Sequence, residues 1–171
     1  VPVAAIVVMG VAGAGKTTVG RRLAYVLGWP FLDADDFHSV GNILKMTRGE
    51  ALTDADRAPW LADMHAALAA AMAMGSPVVL AASVLKRRYR HQLAGDLPSI
   101  RFVYLDASPE LIAHRLTHRS DHFMKAEMLA GQFAALETPD DALVVDAARP
   151  IDEIVATILF GLDQTPTGPQ P

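Results

Sequence analysis

An α/β fold, one five-stranded parallel sheet with helices on both faces, is predicted for this chain by three observations. Short continuous apolar runs recur along it: Ala4 to Met9, Phe31-Leu32, Val78 to Ala82, Phe102 to Leu105 and Leu143 to Val145. Segments with helical spacing of apolar residues separate these runs, and strands buried on both faces with helical crossovers make a parallel sheet. The first run leads straight into Gly10-Val11-Ala12-Gly13-Ala14-Gly15-Lys16-Thr17, a glycine-rich turn where a strand hands over to a helix.

The elements follow in order. Val19, Leu23, Ala24, Val26 and Leu27 lie at helical spacing on a first helix that Gly28 and Pro30 terminate. Phe31-Leu32 makes a short strand that runs into Asp33-Ala34-Asp35-Asp36, read as extended. A polar helix is expected from His38 to Arg48. Asp54 and the Asp56-Arg57-Ala58-Pro59 stretch open a long Ala/Met/Leu helix ending near Gly75, with Met64, Met72 and Met74 read as core filler. After the third strand, Lys86 to Leu93 forms a cationic helix. Leu111, Ile112, Arg115 and Leu116 mark another after the fourth. Pro150 starts a last helix, whose Ile151, Ile154, Val155, Ile158 and Leu159 share one stripe.

With 171 residues and 51% hydrophobic composition, the chain reads as one domain over 1–163 with a sizeable core. The proline-rich stretch 164–171 is expected to be disordered. A net charge of −4 without a dense basic patch argues against a nucleic-acid surface. Cysteine is absent, which excludes disulfides, thiolate metal sites and cysteine nucleophiles. The first apolar run is too short for a membrane span and lacks the basic flank of a signal peptide, so the expected location is cytoplasmic, with no membrane partner.

The turn matches G-x-x-x-x-G-K-[ST] throughout, which is a phosphate-binding loop. Its glycines let backbone N–H groups turn inward around a polyphosphate, Lys16 supplies a point charge, and the Thr17 hydroxyl is placed for Mg²⁺. In an open parallel sheet, ligands sit beyond the carboxyl ends of the strands. Strand three carries no terminal carboxylate for a metal there, so Asp33 is the nearest candidate by topology. In an extended segment Asp33 and Asp35 project to one side, one toward the metal and the other toward an acceptor hydroxyl. The alternative is an acidic turn that caps the next helix. Lys86 and Arg90, four apart, are expected to converge on a carboxylate, with Arg57 from the other wall. Arg115 and Arg119 are placed to stabilise a migrating phosphoryl group, and His38 and His122 flank the cleft.

Most of these residues, though not Arg115 and Arg119, lie in blocks that resemble the small P-loop gluconate kinases, relatives of shikimate and nucleoside monophosphate kinases. The blocks are Met9 to Gly20, Phe31 to His38, Asn42-Ile43-x-Lys45-Met46, and Gly49-Glu50-x-Leu52-x-Asp54-x-Asp56-Arg57-x-Pro59-Trp60-Leu61. They continue with Ser83-x-Leu85-Lys86-x-x-Tyr89-Arg90, His122-Phe123-Met124 and Gln132-Phe133-x-x-Leu136-Glu137-x-Pro139. The chain departs from the family pattern at Ser39, Ala82, Asp121 and Lys125. The resemblance implies a three-layer P-loop kinase fold with a small lid over about 117–127 and a substrate-binding insertion over about 36–60.

It also implies ATP on Gly10, Val11, Ala12, Gly13, Ala14, Gly15, Lys16, Thr17 and Thr18 with Arg115 and Arg119, and Mg²⁺ near Thr17 and Asp33. Gluconate would lie against Asp35, His38, Arg57, Lys86, Arg90 and His122, with Lys16, Asp35 and Arg119 as the catalytic groups. The implied activity is ATP-dependent phosphorylation of D-gluconate to 6-phosphogluconate, in gluconate catabolism feeding the pentose phosphate pathway. The alternatives are a shikimate or nucleoside monophosphate kinase, and a nucleotide-binding switch without transfer activity. A homodimer is open at this stage.

Overall fold

A computed structural model of the chain describes residues 2–118 and 126–163. Its centre is the sheet, with strands β1 (Ala5–Met9), β2 (Phe31–Asp33), β3 (Val78–Ala81), β4 (Ile100–Asp106) and β5 (Leu143–Asp146). They lie in the order β2-β3-β1-β4-β5, and every pairing is parallel. The expected fold class is therefore the observed one.

The helices are α1 (Lys16–Leu27), α2 (Val40–Thr47), α3 (Asp54–Ala73), α4 (Arg87–Ala94), α5 (Pro109–Thr117), α6 (Ala126–Ala135) and α7 (Ile151–Asp163). Alternation along β1 divides the core in two. Ile6 and Val8 pack with residues of α1, α5 and α7, whereas Ala5, Val7 and Met9 pack with residues of α3 and α4. Because successive strand side chains point to opposite faces, a run apolar at every position is required to fill both layers.

Capping chemistry sets the helix ends. Gly28 closes α1 in the left-handed conformation, φ 68°, and its N–H returns to the last turn. Thr53 and Asp56 form a reciprocal capping box that starts α3 at Asp54 and leaves Pro59 inside the helix. That helix ends at Ala73, so Met74 is exposed, while Met64 is in the core and Met72 packs at its edge. The core reading thus fails for Met74.

Two local expectations change. The chain after β2 is not extended: Ala34–Phe37 forms a single 3₁₀ turn, capped by the Asp33 carboxylate, which accepts from the Asp35 N–H. No apolar periodicity announces α6, whose sequence is rich in alanine and lacks a clear stripe. Parallel strands bring the phosphate loop, Asp33, residues 82–86 and Asp106 to one edge of the sheet. Most of the lid expected over 117–127, and the whole of the 164–171 tail, lie outside the described residues.

Helix α1 must come close to the sheet for this edge to assemble, and Gly20 marks the contact. A Cβ there would stand 2.7 Å from the Phe31 ring and 3.7 Å from Ala81. Alanine ordinarily favours a helix over glycine by about 1 kcal/mol, whereas crowding a packed interface costs about 1–3 kcal/mol. Gly20→Ala is therefore expected to destabilise the protein by about 1 kcal/mol net, read as a lower urea midpoint at unchanged m-value.

Candidate active site

The loop between β1 and α1 takes its shape from glycines at two decisive places. Gly15 has φ 100°, a left-handed conformation that turns the chain into α1. Gly10 has φ 150°, and a Cβ on it would meet the Leu105 carbonyl oxygen at 3.0 Å. Val11 and Ala14 are buried and anchor the loop, while Thr18 is exposed on the first turn of α1.

The Lys16 ammonium donates to the Val11 carbonyl oxygen at 3.0 Å, within its own loop. Burial lowers its pKa to about 8, against the opposing pull of Asp35 and then Asp33. Thr17 donates its hydroxyl proton to Asp33 Oδ2 at 2.8 Å, while Asp33 Oδ1 accepts from the Asp35 N–H at 3.0 Å. One carboxylate thus joins the phosphate loop to the 3₁₀ turn. The capping alternative and the loop-facing role turn out to be two oxygens of the same side chain.

Asp35 is held above its ordinary pKa by burial first and by Asp33 second, with His38 and Lys16 pulling the other way. His38 is lowered by burial, raised by Asp35 and lowered by Arg57. Each of Lys16, Asp35, His38 and Arg57 thus feels the field of the next, a row of electrostatic neighbours. The His38 ring stacks on Trp60, centroids 4.5 Å apart and planes 7° from parallel, and the Trp60 indole N–H donates to the Ala34 carbonyl at 2.7 Å. A cavity of about 500 Å³ opens beside His38, walled by Asn42, Asp56, Pro59, Trp60 and Asp63 among others.

Tyr89 gathers a group of cations that includes Arg57. Its hydroxyl donates to Asp54 Oδ1 at 2.5 Å, and its ring faces Arg57 and Arg88, each at 5.3 Å, and Lys86 at 5.8 Å. Arg88 pairs with Asp54, whereas Arg57 and Lys86 have no ion pair among the described residues. Arg57 instead donates to the Leu52 carbonyl and, at 3.4 Å, to the Tyr89 hydroxyl.

Lys86 and Arg90 do not converge. Lys86 precedes the first turn of α4 with extended dihedrals, φ −89° and ψ 143°, so the side-by-side rule for residues four apart in a helix does not apply to it. Arg90 is 4% exposed and donates to the carbonyls of Val84 at 3.2 Å and Leu85 at 2.9 Å. Arg115 belongs to α5 rather than to a lid. It donates to the carbonyls of Gly13 at 3.1 Å, Ala14 at 3.0 Å and Ala147. Arg119 and His122 lie outside the described residues.

Sequence reasoning assigned no role to three residues that the structure brings to the site. Gln132 Oε1 accepts from the Ala12 N–H at 3.0 Å, Tyr89 gathers the cations, and Glu137 Oε2 accepts from the Arg87 N–H at 2.6 Å. Their place in the family blocks was the available signal.

The family model described as AAA domain matches residues 6–139. A gluconokinase of Gluconobacter oxydans is 51% identical over 136 residues, covering 80% of this chain and 76% of that one. The crystal structure of a gluconokinase from Sinorhizobium meliloti matches with a TM-score of 0.86 at 43% identity, over 94% of this chain and 91% of the other. The chain belongs to the gluconokinase family. A shikimate kinase from Bacteroides thetaiotaomicron, at 21% identity and a TM-score of 0.66 over 93% of this chain and 98% of its own, shares the fold alone. The family expected from the sequence blocks is thus the family found, and as a P-loop kinase family it implies ATP. No described helix of this gluconokinase-family chain is long and apolar enough to cross a membrane.

The lowered pKa of Lys16 makes a prediction for the unliganded protein. Its folded value is about 8 and its ordinary value 10.5, so between them the unfolded chain binds more protons. Stability then rises with pH on this account above about 8, because the cost of burying the charge disappears as the proton leaves. Thermal melts from about pH 7 to about 9.5 should show a Lys16→Met variant without that rise, the difference between the two proteins isolating this group.

Proposed function

We propose that this chain transfers the γ-phosphoryl group of ATP to the terminal hydroxyl of D-gluconate, giving 6-phosphogluconate and ADP. The observation that carries this reading is the row from Lys16 through Asp35 and His38 to Arg57 and Lys86. Phosphate machinery stands at one end, cations without an ion-pair partner among the described residues at the other, and a carboxylate of raised pKa between them. A hydroxy acid fits that order, its carboxylate on Arg57 and Lys86 and its far hydroxyl at Asp35. Relatives named gluconokinase, at up to 51% identity, support the same choice.

In the proposed reaction the acceptor hydroxyl oxygen forms a bond to the γ-phosphorus as the bond to the bridging oxygen of ADP breaks. The hydroxyl proton passes to an Asp35 oxygen. A loose phosphoryl transition state asks for positioning and charge rather than covalent help. Lys16, released from the Val11 carbonyl, donates to the phosphate oxygens. The contacting hydroxyl and carboxylate of Thr17 and Asp33 are the hard oxygen donors that suit Mg²⁺, which takes few protein ligands beside phosphates and water. These two residues would hold that ion, whose contribution when bound is to neutralise β- and γ-phosphate charge. The 36–60 insertion supplies His38 and Arg57 to the single domain. The cytoplasm, where both small molecules are available, is the compartment we assign.

A coupled ADP-release assay across gluconate, sorbitol, shikimate and nucleoside monophosphates tests the reading. Gluconate should exceed sorbitol by at least about thirtyfold in kcat/KM, because the neutral polyol leaves two cations without their anion, a loss of about 2–5 kcal/mol. Faster turnover with shikimate or a nucleotide, or nucleotide binding with no turnover at all, would refute it. Asp35→Asn should lower kcat by about 10²-fold or more with ATP binding retained. Since Asp35 must be ionised to accept the proton and its pKa is raised in the unliganded protein, wild-type kcat/KM for gluconate should fall on acidification at a higher pH than an ordinary carboxylate would dictate, and the residual kcat/KM of Asp35→Asn should lack that limb.

A further inference from the structure

We infer that Arg90 and Glu137 are positioning residues: together they hold the loop between β3 and α4 in a strained shape and so fix where Lys86 stands. The strain is at Val84, whose φ of 29° lies in the left-handed region. A β-branched residue avoids that region, and Val84 is also buried, at 1% exposure, so it is no freely moving loop tip. Such a conformation persists only where its surroundings over-determine it.

Four hydrogen bonds do so here. Arg90 Nη1 donates to the carbonyl oxygens of Val84 and Leu85, and the Glu137 N–H donates to the same Leu85 oxygen at 2.9 Å. The Glu137 carboxylate accepts from the Arg87 N–H, capping a helix whose own cap residue, Lys86, offers no side-chain acceptor. Lys86 is thereby pinned on both sides, at Leu85 and at Arg87, and its ammonium is delivered over the Tyr89 ring beside Arg57. The charges that bear on Arg90 are those of Asp141, Glu137, Arg87 and Asp140, none of which belongs to the row from Lys16 to Arg57. A guanidinium spent on two loop carbonyls away from that row acts on the acceptor through the loop.

The inference rests on the proposed function only in taking Lys86 to meet the acceptor carboxylate. Its test compares full-length wild type, Arg90→Ala, Arg90→Ala with Val84→Gly, and Glu137→Ala. Steady-state kinetics with gluconate and ATP are combined with amide hydrogen exchange over residues 83–90. Releasing the loop should raise the gluconate KM at least about tenfold, since misplacement by an ångström can cost 10²-fold, while the ATP KM stays within about twofold. Exchange over 83–90 should quicken in both single variants.

Glycine adopts a positive φ without penalty, so adding Val84→Gly to Arg90→Ala should recover at least about threefold of the lost KM. A residue that itself touched the carboxylate could not be replaced in this way. The inference is overturned by unchanged exchange and KM in Arg90→Ala. It is equally overturned by a KM loss with unchanged exchange that Val84→Gly does not relieve, the mark of direct contact. If Arg90→Ala does not fold, Glu137→Ala decides by the same two readouts, because its exposed side chain can be lost without opening the core. Absent gluconate turnover in wild type would count against the proposed function alone, with the exchange results still deciding the loop.

Discussion

The Arg115 guanidinium bonds at once to the carbonyls of Gly13 and Ala14 in the phosphate loop and to that of Ala147 beyond β5. A loop that gathers its N–H groups around an anion must send its carbonyls outward, and half-buried carbonyls need donors of their own. Arg115 supplies them from α5, and the same contact ties the loop to the opposite half of the sheet. On the inner side, Gln132 from α6 takes the Ala12 N–H. The loop is therefore held between helices that follow it by more than a hundred positions in sequence. The contacts at the phosphate end take their position from this arrangement: Lys16 opens α1 from it, Thr17 reaches Asp33 from it, and Asp33 in turn caps the turn that carries Asp35.

The same device recurs at the next strand end. After β3 the carbonyls of Val84 and Leu85 are met by another arginine, the buried Arg90, and Glu137 stands to that loop as Gln132 stands to the first. One short stretch, 132–137, thus touches both the loop that meets phosphate and the loop that carries Lys86. Arginine suits this work because its planar donors bind two carbonyls at once and its charge is weakly hydrated, so burial costs it less than an ammonium would lose. Arg115 braces a loop whose shape its own glycines permit, whereas Arg90 holds a shape that Val84 alone would avoid.

Most of the fold could be read from the sequence, because its strongest signals are local. Apolar runs such as Ala5–Met9 cannot be explained except by burial on both faces, and Gly28 ends its helix by a rule that needs only neighbouring residues. Lys16, Thr17 and Asp33 were likewise reachable, since motif and strand order bring them to one edge. What stayed hidden depends on contacts distant in sequence or on exact helix starts. Arg90 was assigned to the substrate from its spacing to Lys86, yet α4 begins one residue later, and that shift sends the two cations apart. Helix α6 carries no clear periodic stripe because its Leu129, Phe133 and Ala135 pack only half-buried against the core, with Gln132 tying it to the phosphate loop as well. The 3₁₀ turn at Ala34–Phe37 is set by one carboxylate that caps backbone with one oxygen and binds Thr17 with the other, a division of labour no residue pattern announces.

The choice of partner for each cation explains how the acceptor end keeps its charge available. Arg22, Lys45, Arg48, Arg87, Arg88 and Arg149 each face a carboxylate. Arg57 and Lys86 face the Tyr89 ring instead, where the π-face attracts a cation without cancelling its charge. Asp54 could have neutralised them, but its two oxygens go to the Tyr89 hydroxyl and to Arg88. Tyr89 thus plays two parts. Its ring lies beside Arg57, Lys86 and Arg88, and its hydroxyl donates to one oxygen of Asp54 while the other pairs with Arg88. An anion entering beside the ring meets fixed positive charge that needs no ion pair broken first. A neutral chain of the same length gains nothing there to offset its own desolvation. On the proposed function, selectivity for an acid follows from how the protein has disposed of its own carboxylates as much as from where it has placed its cations.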